Sequence, residues 1–408
     1  MFVPGGLPTI TYNPREKLQL EEQVRDYLES RHKILSVSGP TKSGKTVLLR
    51  SVVTNGIWVS GGEIHSFEEF WSAVADQLEV FPEEEQATSE REASSTSSSG
   101  EASARPLGVG VRGAKGSSTE SGTEATRTTG RRRPIHLAAK ERLLREGSVL
   151  VIDDFHYVDF DVQLEIIRSL KDAVFEGAGV ILAAVPHRAY DAVRVEKEMT
   201  GRVEQLQIEF WSTEELLGIA REGFRALNVQ NSLGIAERLA DESFQSPFLM
   251  QDFCLEVCKK NEVREASETP VELEELNWPE FFKSRASAAS KAAFDLLARG
   301  PRQRTDRKPR LMRDRTTTDI YGAVLAGIAH TGPLTSMTYE ELRSALRYVL
   351  SEDPPQRHEV TRVLEEMSKI ARDEIEGEPV VDFDAELGTL HISDPYFAYF
   401  LRWAIRNR

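Results

Sequence analysis

Five short runs of apolar residues punctuate the first half of the chain. Between them lie stretches in which apolar positions recur every three or four residues, which is the spacing of an amphipathic helix. Strands that read as continuous apolar runs are typical of parallel sheets buried on both faces. The pattern therefore predicts an α/β domain, with a five-stranded parallel sheet and helices on both faces. The predicted strands are KILSVS (33–38), GIWVSG (56–61), SVLVID (148–153), GVILAAV (179–185) and EQLQIEF (204–210).

The second half of the chain is almost entirely helical in its pattern. Its last quarter holds three helical runs, then two short strands around an acidic, glycine-containing turn, then a closing helix. Three helices followed by a hairpin is the order of a winged-helix domain. We predict a P-loop NTPase domain at 1–210, a helical lid domain at 211–300, a basic linker at 301–315 and a winged-helix domain at 316–408.

One segment, 82–133, differs sharply in composition from the rest. It is rich in Ser, Thr, Gly and Glu and holds almost no large apolar residues. Such a composition cannot offset the entropy lost when a chain becomes ordered. We predict a disordered insertion that splits the first domain, because the pieces on either side of it complete one sheet.

Charge and cysteine content narrow the class of protein. The formal net charge of −15 disfavours non-specific attachment to nucleic acid or anionic membrane. Cys254 and Cys258, the only two cysteines, are four apart on one face of an apolar helix, so we expect core packing and not a metal site. An apolar leader and a run of about 18 apolar residues are both missing, and we expect a cytoplasmic protein.

The stretch GPTKSGKT follows the first strand and opens a helix, which is the context of a phosphate-binding loop. Its glycines allow backbone N–H groups to point at phosphate oxygens, and the helix directs its positive end at the anion. Lys45 is expected to reach the outer phosphates, and Thr46 to offer its hydroxyl to Mg²⁺. The predicted nucleotide-binding residues of the loop are Gly39, Pro40, Thr41, Lys42, Ser43, Gly44, Lys45 and Thr46.

A buried strand ends in the acidic pair Asp153 and Asp154, and a carboxylate that organises Mg²⁺ is expected next to a phosphate loop. We predict that Asp153 holds the ion, directly or through its water, together with Thr46. Asp154 is predicted to orient or deprotonate an attacking water, with a helix N-cap as the alternative interpretation.

Two arginines are further candidates. Arg188 follows the strand at 179–185 and is a candidate sensor of the terminal phosphate, or a surface arginine on a loop. Arg202 precedes the last strand and is considered as an arginine finger acting in the same chain or toward a neighbouring subunit.

Taken together, SGPTKSGKT, VLVIDDFH and PHR resemble the STAND class of signal-transduction ATPases, close relatives of AAA+ and ORC-type ATPases. ESFQSPFLMQ stands where that class has a Gly-x-Pro motif, with Gln245 at the glycine position, which implies that Pro247 contacts the bound nucleotide. LHISDPYFAYFLRW resembles the winged-helix end of ATPases in the same group.

The resemblance implies ATP and ADP with Mg²⁺ as cofactors, slow hydrolysis, and a switch. In such a switch ADP keeps the helical and winged domains folded over the site, and ATP releases them. It also implies a protein partner or self-association in the ATP state.

Three alternatives remain open. An ORC-like DNA-binding ATPase would use the winged helix and the basic segment 299–315, whose charge is +6 from seven Arg and one Lys against two Asp. We favour a solvated linker there, because Pro301 and Pro309 break regular structure, although an acidic surface of a partner or of this chain would also suit it. The predicted third helix of the winged domain and its wing are rich in acidic residues, which disfavours DNA. A small-molecule kinase and a scaffold with almost no hydrolysis are the other two alternatives.

Overall fold

The computed structural model describes nine stretches of the 408-residue chain. These are 1–80, 134–185, 201–231, 233–286, 288–301, 307–332, 334–375, 379–385 and 387–406. The predicted insertion at 82–133 lies outside the described residues.

The strands of the described part are short and the helices are up to 17 residues long. The strands are β1 Ile34–Ser38, β2 Gly56–Ser60, β3 Val149–Asp153, β4 Gly179–Ala184, β5 Val203–Gln207, β6 Val229–Gln230, β7 Val271–Glu272, β8 Arg310–Leu311, β9 Thr317–Thr318, β10 Ser336–Thr338, β11 Val381–Asp384 and β12 Thr389–Ile392. The α-helices are α1 Leu20–Ser30, α2 Lys45–Val52, α3 Phe67–Gln77, α4 Ile135–Glu146, α5 Phe160–Phe175, α6 Thr213–Leu227, α7 Ile235–Asp241, α8 Pro247–Lys260, α9 Trp278–Arg285, α10 Ala288–Arg299, α11 Ile320–His330, α12 Tyr339–Val349, α13 Arg357–Asp373 and α14 Pro395–Phe400.

The main sheet confirms the predicted parallel arrangement. Its strand order is β2-β3-β4-β1-β5, and all four neighbouring pairs are parallel. β1 and β4 are buried along their whole length, which explains why both are mainly apolar, with Ser36 and Ser38 as buried polar residues of β1. The carboxyl ends of β1 and β3 lie at the same edge, and that edge is where open α/β sheets bind ligands.

Successive strand residues feed two cores, one on each face of the sheet. Ile34 packs with α3, α4 and α5, whereas its neighbour Leu35 packs with α1 and α2. This alternation follows from the two-residue period of a strand. Helices therefore cover both faces, as predicted.

The helices after the sheet form a core of their own. α6, α7, α8 and α9 pack around Phe253, Phe281 and Phe282, all of which are buried. Cys254 and Cys258 lie in this core and form no disulfide, so the prediction of core packing is confirmed. No group of His, Cys, Asp and Glu that could hold a metal ion occurs among the described residues.

The C-terminal unit, residues 316–408, contains three helices followed by an antiparallel hairpin, in the predicted order. The helices are α11, α12 and α13, and the hairpin is formed by β11 and β12. β10 precedes α12 and adds a third strand, which gives the sheet order β10-β12-β11. α10 contributes Ala293 and Leu297 to this core, although the sequence assigned it to the lid. By contrast, α14 and the π-helical turn Leu401–Arg406 contribute Tyr399 and Trp403 to the core of the preceding helices α6 to α9, which we call the lid core.

The basic segment is not merely a solvated linker, and that interpretation is wrong for Arg307 and Arg310, which are partly or fully buried in ion pairs. Arg307 pairs with Asp319 at 2.5 Å. Arg310 is 8% exposed and lies 3.4 Å and 3.6 Å from two glutamates of the C-terminal unit. Arg313 donates to the carbonyl oxygens of Arg347 and Leu350. Acidic side chains of this same chain therefore bind Arg307 and Arg310, while 302–306 lie outside the described residues.

Candidate nucleotide site

The loop between β1 and α2 has a backbone that only glycine could adopt without strain at two points. Gly44 has φ +96° and immediately precedes α2. A Cβ atom on Gly39 would stand 2.8 Å from the carbonyl oxygen of Ile208, too close for any side chain. Both glycines belong to the predicted motif: Gly44 is needed for its positive φ, and Gly39 for the close approach of the Ile208 backbone.

The interior of the loop is polar and suited to an anion. Lys45 is 6% exposed, and its ammonium group donates to the carbonyl oxygens of Gly39 and Pro40 at 3.0 and 2.9 Å. The hydroxyls of Thr41 and Ser43 are buried and have no hydrogen-bond partner among the described residues. The first N–H groups of α2 lack intrahelical acceptors, as at every helix start. These groups fit the phosphates of a nucleotide.

Thr46 in the first turn of α2 and Asp153 at the end of β3 are brought together by the fold. The Thr46 hydroxyl donates to Asp153 Oδ2 at 2.7 Å, across a separation of 107 residues. Hydroxyl and carboxylate oxygens are the hard ligands that Mg²⁺ prefers, and it commonly keeps waters besides them. The pair fits the predicted Mg²⁺ site.

Asp154 turns sharply away from the strand. It has φ +53°, in the left-handed region, and precedes the 3₁₀ turn Phe155–Tyr157 without a side-chain cap bond. The N-cap alternative therefore has no hydrogen bond to support it. Asp154 lines the same cavity as Thr46, where the predicted role in water orientation would place it.

A cavity of about 560 Å³ opens beside the loop. Its volume lies in the range of about 300–1,000 Å³ that is typical of ligand pockets. The loop forms one side through residues 42–48, and the N-terminal segment 3–15 forms another. The start of α8 closes the third side, with Pro247, Phe248 and Gln251. The N-terminal segment is fastened to α8, because Gln251 exchanges side-chain hydrogen bonds with Thr11 at 2.9 and 3.1 Å.

Pro247 lines the wall of the cavity beside the phosphate loop, and its contact with a nucleotide stays a prediction. It is the first residue of α8, and Ser246 caps that helix by accepting from the Leu249 N–H. Gln245, at the expected glycine position, has φ +57°. That is the backbone region which favours glycine, and a glutamine occupies it here.

Lys42 connects the loop to the C-terminal unit. Its ammonium group lies 2.8 Å from Asp394 Oδ1, and the two side chains are 28% and 18% exposed. The rings of Tyr396 and Phe248 flank the same ammonium group at 5.2 and 5.9 Å. Asp394 also caps α14 by accepting from the Tyr396 N–H at 2.9 Å. Asp394 was not predicted, because nothing local marks it beyond a helix cap.

Trp211 and Arg15 are two further residues that the sequence did not reveal. The Trp211 indole donates to the Ser43 carbonyl oxygen at 2.8 Å, and the Arg15 guanidinium carbon lies 5.0 Å from the centre of its ring. Arg15 is 5% exposed and pairs with Glu215 at 2.8 Å. A tryptophan just after the last strand reads as core in the sequence, and only the fold brings it to the loop.

The two predicted arginines have different outcomes. Arg188 lies outside the described residues. Arg202 precedes β5 beside the start of β1, since its carbonyl oxygen accepts from the Ile34 N–H. The loop follows the other end of β1, about 13 Å further along at the usual rise per residue. Arg202 instead covers the ring of Phe175 at 5.7 Å. A role as a finger within the same chain is therefore wrong, and a role toward a neighbouring subunit stays a prediction.

Comparison with known proteins gives structural relatives alone, since no family model and no curated protein matches the chain. A Walker-type ATPase from Pyrococcus abyssi aligns over 94% of this chain and 95% of its own, with a TM-score of 0.53 and 12% identity. The Aeropyrum pernix ORC2 protein, solved in ADPNP and ADP complexes, aligns over 100% and 96%, with a TM-score of 0.47 and 13% identity. A STAND protein with a tetratricopeptide repeat sensor from Pyrococcus horikoshii aligns over 95% and 42%, with a TM-score of 0.38 and 14% identity.

The likeness to the Pyrococcus abyssi protein shows that the chain has the P-loop ATPase fold. At 12% identity the likeness concerns fold alone, so activity has to be argued from the site. None of the described helices has both the length and the apolar character needed to cross a membrane.

Proposed function

We propose that the chain is an ATP-binding, slowly hydrolysing molecular switch of the STAND/AAA+ type. The nucleotide state would control how the lid and the C-terminal unit sit against the sheet domain, and through this the binding of a protein partner or self-association. We further propose that the C-terminal unit at 316–408 is a winged helix used for protein contact.

The contact between Lys42 and Asp394 carries this proposal. Lys42 belongs to the phosphate loop and Asp394 to the C-terminal unit. A partly buried ion pair therefore joins the phosphate loop to the C-terminal unit, which would move. Lys42 has two competing anionic partners, this carboxylate and the phosphates of a nucleotide. A change in phosphate number would therefore change the strength of the contact. A hydrogen bond to a charged group contributes about 1.5–3 kcal/mol, enough to shift a two-state equilibrium by tenfold or more.

The moving body would consist of the lid and the C-terminal unit together. Tyr399 donates to the carbonyl oxygen of Phe282 at 2.5 Å, and the Trp403 indole donates to Glu242 at 2.9 Å. Both bonds tie the last helix of the chain to the lid. Opening would then occur between β5 and α6, where the sheet domain ends.

Within the phosphate loop, Lys45 and the backbone N–H groups would bind the phosphates. Mg²⁺, bound by Thr46 and Asp153, would neutralise phosphate charge. Asp154 would orient the attacking water and accept its proton. An aspartate reaches less far than a glutamate, which suits slow turnover in a switch.

DNA binding remains the alternative function, and the described residues give it little support. Helix α13 carries four acidic and four basic residues, so it presents no net positive charge to a phosphate backbone. The arginines at 307, 310 and 313 are bonded within the chain. We therefore retain the switch as the proposal and treat DNA stimulation as an outcome of its test.

The test is steady-state ATP hydrolysis with Mg²⁺, combined with size measurement in ATP and in ADP. Lys45→Ala should abolish hydrolysis, and Lys33→Ala, an exposed lysine beside the first strand, should leave it unchanged. Slow hydrolysis with a change of size in ATP alone is the expected result. Fast turnover stimulated by duplex DNA would favour the alternative function. Absence of nucleotide binding in the wild type would overturn the assignment of the site.

A further inference from the structure

Trp211 lies at a junction of three parts of the molecule. Its indole N–H donates to the Ser43 carbonyl oxygen in the loop. Its backbone N–H donates to the backbone carbonyl oxygen of Gln245 in the lid at 3.3 Å. Its ring is covered by Arg15 from the N-terminal segment. The residue is 7% exposed and lines the cavity.

Arg15 holds the backbone before Trp211 in place. Its guanidinium donates to the carbonyl oxygens of Glu209 and Phe210 at 2.8 and 2.9 Å. It also binds both carboxylate oxygens of Glu215, whose side chain closes the capping box of α6 with Ser212. A buried arginine with this many bonds leaves the neighbouring tryptophan little freedom to move.

The bond to Ser43 fixes more than one atom. The Ser43 carbonyl and the Gly44 N–H belong to one planar trans peptide group, so they point in opposite directions. Fixing the carbonyl on Trp211 therefore fixes the direction of the Gly44 N–H. Gly44 tolerates φ of either sign, which makes a flip of this peptide group cheap in the absence of the indole.

We propose that Trp211 is a positioning residue for nucleotide binding: its indole N–H holds the Ser43–Gly44 peptide group in the orientation that offers the Gly44 N–H to a nucleotide phosphate. This inference rests on the proposed function, because it assumes that the cavity binds ATP and ADP. Through Gln245 and Arg15, the lid and the N-terminal segment hold the tryptophan that orients the loop.

Trp211→Phe keeps an aromatic ring beneath Arg15 and removes the indole donor together with part of the ring. Trp278→Phe in α9, outside the cavity, makes the same reduction in ring size. We expect Trp211→Phe to raise the KM for ATP and the Kd for ADP about tenfold, the loss of roughly one buried hydrogen bond. The kcat should stay within about twofold, because Lys45, Thr46 and Asp153 are unchanged. Trp278→Phe should leave all three values at the wild-type level.

A purely structural role for Trp211 would lower the melting temperature without raising the Kd for ADP, and that result would overturn the inference. A separate control identifies failure of the proposed function itself. If the wild type and Trp278→Phe both fail to bind ADP, the function and this inference fall together. If both bind ADP and Lys45→Ala does not, the function stands and the Kd of Trp211→Phe alone decides the inference.

Discussion

The ammonium group of Lys42 and the carboxylate of Asp394 lie 2.8 Å apart although 352 residues separate them in the chain. The contact joins a phosphate loop to the first turn of the last helix. Because the two side chains are less than a third exposed, the attraction between them is only partly screened by solvent. We therefore expect it to slow the release of the C-terminal unit when ADP is bound.

Asp394→Asn should accelerate the release of ADP about fivefold, measured with a fluorescent ADP analogue. Asparagine caps a helix as well as aspartate does, so α14 should start normally and only the charge is lost. Asp373→Asn, an exposed carboxylate in the same unit, is the control and should release ADP at the wild-type rate. An unchanged rate of ADP release in Asp394→Asn would contradict a role for the pair.

The hydrogen bond between Thr46 and Asp153 gives a prediction about the metal. Asp153→Asn should weaken the binding of Mg²⁺. The Mg²⁺ concentration that gives half-maximal hydrolysis should then rise about 10- to 100-fold. Asp159→Asn, an exposed carboxylate six residues later, should not change it. Titration of ATPase activity with MgCl₂ measures this. An unchanged half-saturation in Asp153→Asn would show that another group holds the ion.

Asp154 should affect the chemical step and not binding. Asp154→Asn removes the base, and asparagine tolerates the left-handed backbone at φ +53°, so the turn should not be strained. We expect kcat to fall about 100-fold while the Kd for ATP stays the same. Single-turnover hydrolysis with saturating enzyme separates the two. A raised Kd with unchanged kcat would assign Asp154 to nucleotide binding.

The two cysteines report on the packing of α8. Burial raises the pKa of the Cys258 thiol to about 11, and burial also raises the pKa of Cys254, beside which Cys258 lies. Since the thiolate is the reactive form and a raised pKa keeps the thiol protonated, neither should react with a thiol reagent at pH 8. Both should react once the chain is unfolded in guanidinium chloride. Rapid labelling of the folded protein would show that the lid core opens easily.

Local patterns were sufficient for the sheet and the phosphate loop. The four strands β1 to β4 are short and mainly apolar, and the loop's glycines and Lys45 lie within seven consecutive residues, so both features can be read from a few residues. Arg202 shows the limit of the same reasoning. It precedes a strand, and in a parallel sheet residues that precede strands gather at the edge opposite the loop.

Features that depend on distant pairs could not be predicted. Trp211 meets Ser43 across 168 residues, and Asp394 meets Lys42 across 352. Neither pair leaves a local signal, because a buried tryptophan and a helix-capping aspartate each have an ordinary structural explanation. Helix α10 has an apolar face that would suit either of two cores, and only the tertiary packing assigns it to the C-terminal one.

The most direct test of the switch is the distance between the sheet domain and the C-terminal unit in each nucleotide state. Fluorophores on the exposed positions Glu29 and Asp373, introduced as cysteines while the native thiols stay buried, would report it by energy transfer. We predict one high-transfer state with ADP, a lower-transfer state with a non-hydrolysable ATP analogue, and the lower state in both nucleotides for Asp394→Asn. Identical transfer with ADP and the ATP analogue in the wild type, at saturating nucleotide, would contradict the account.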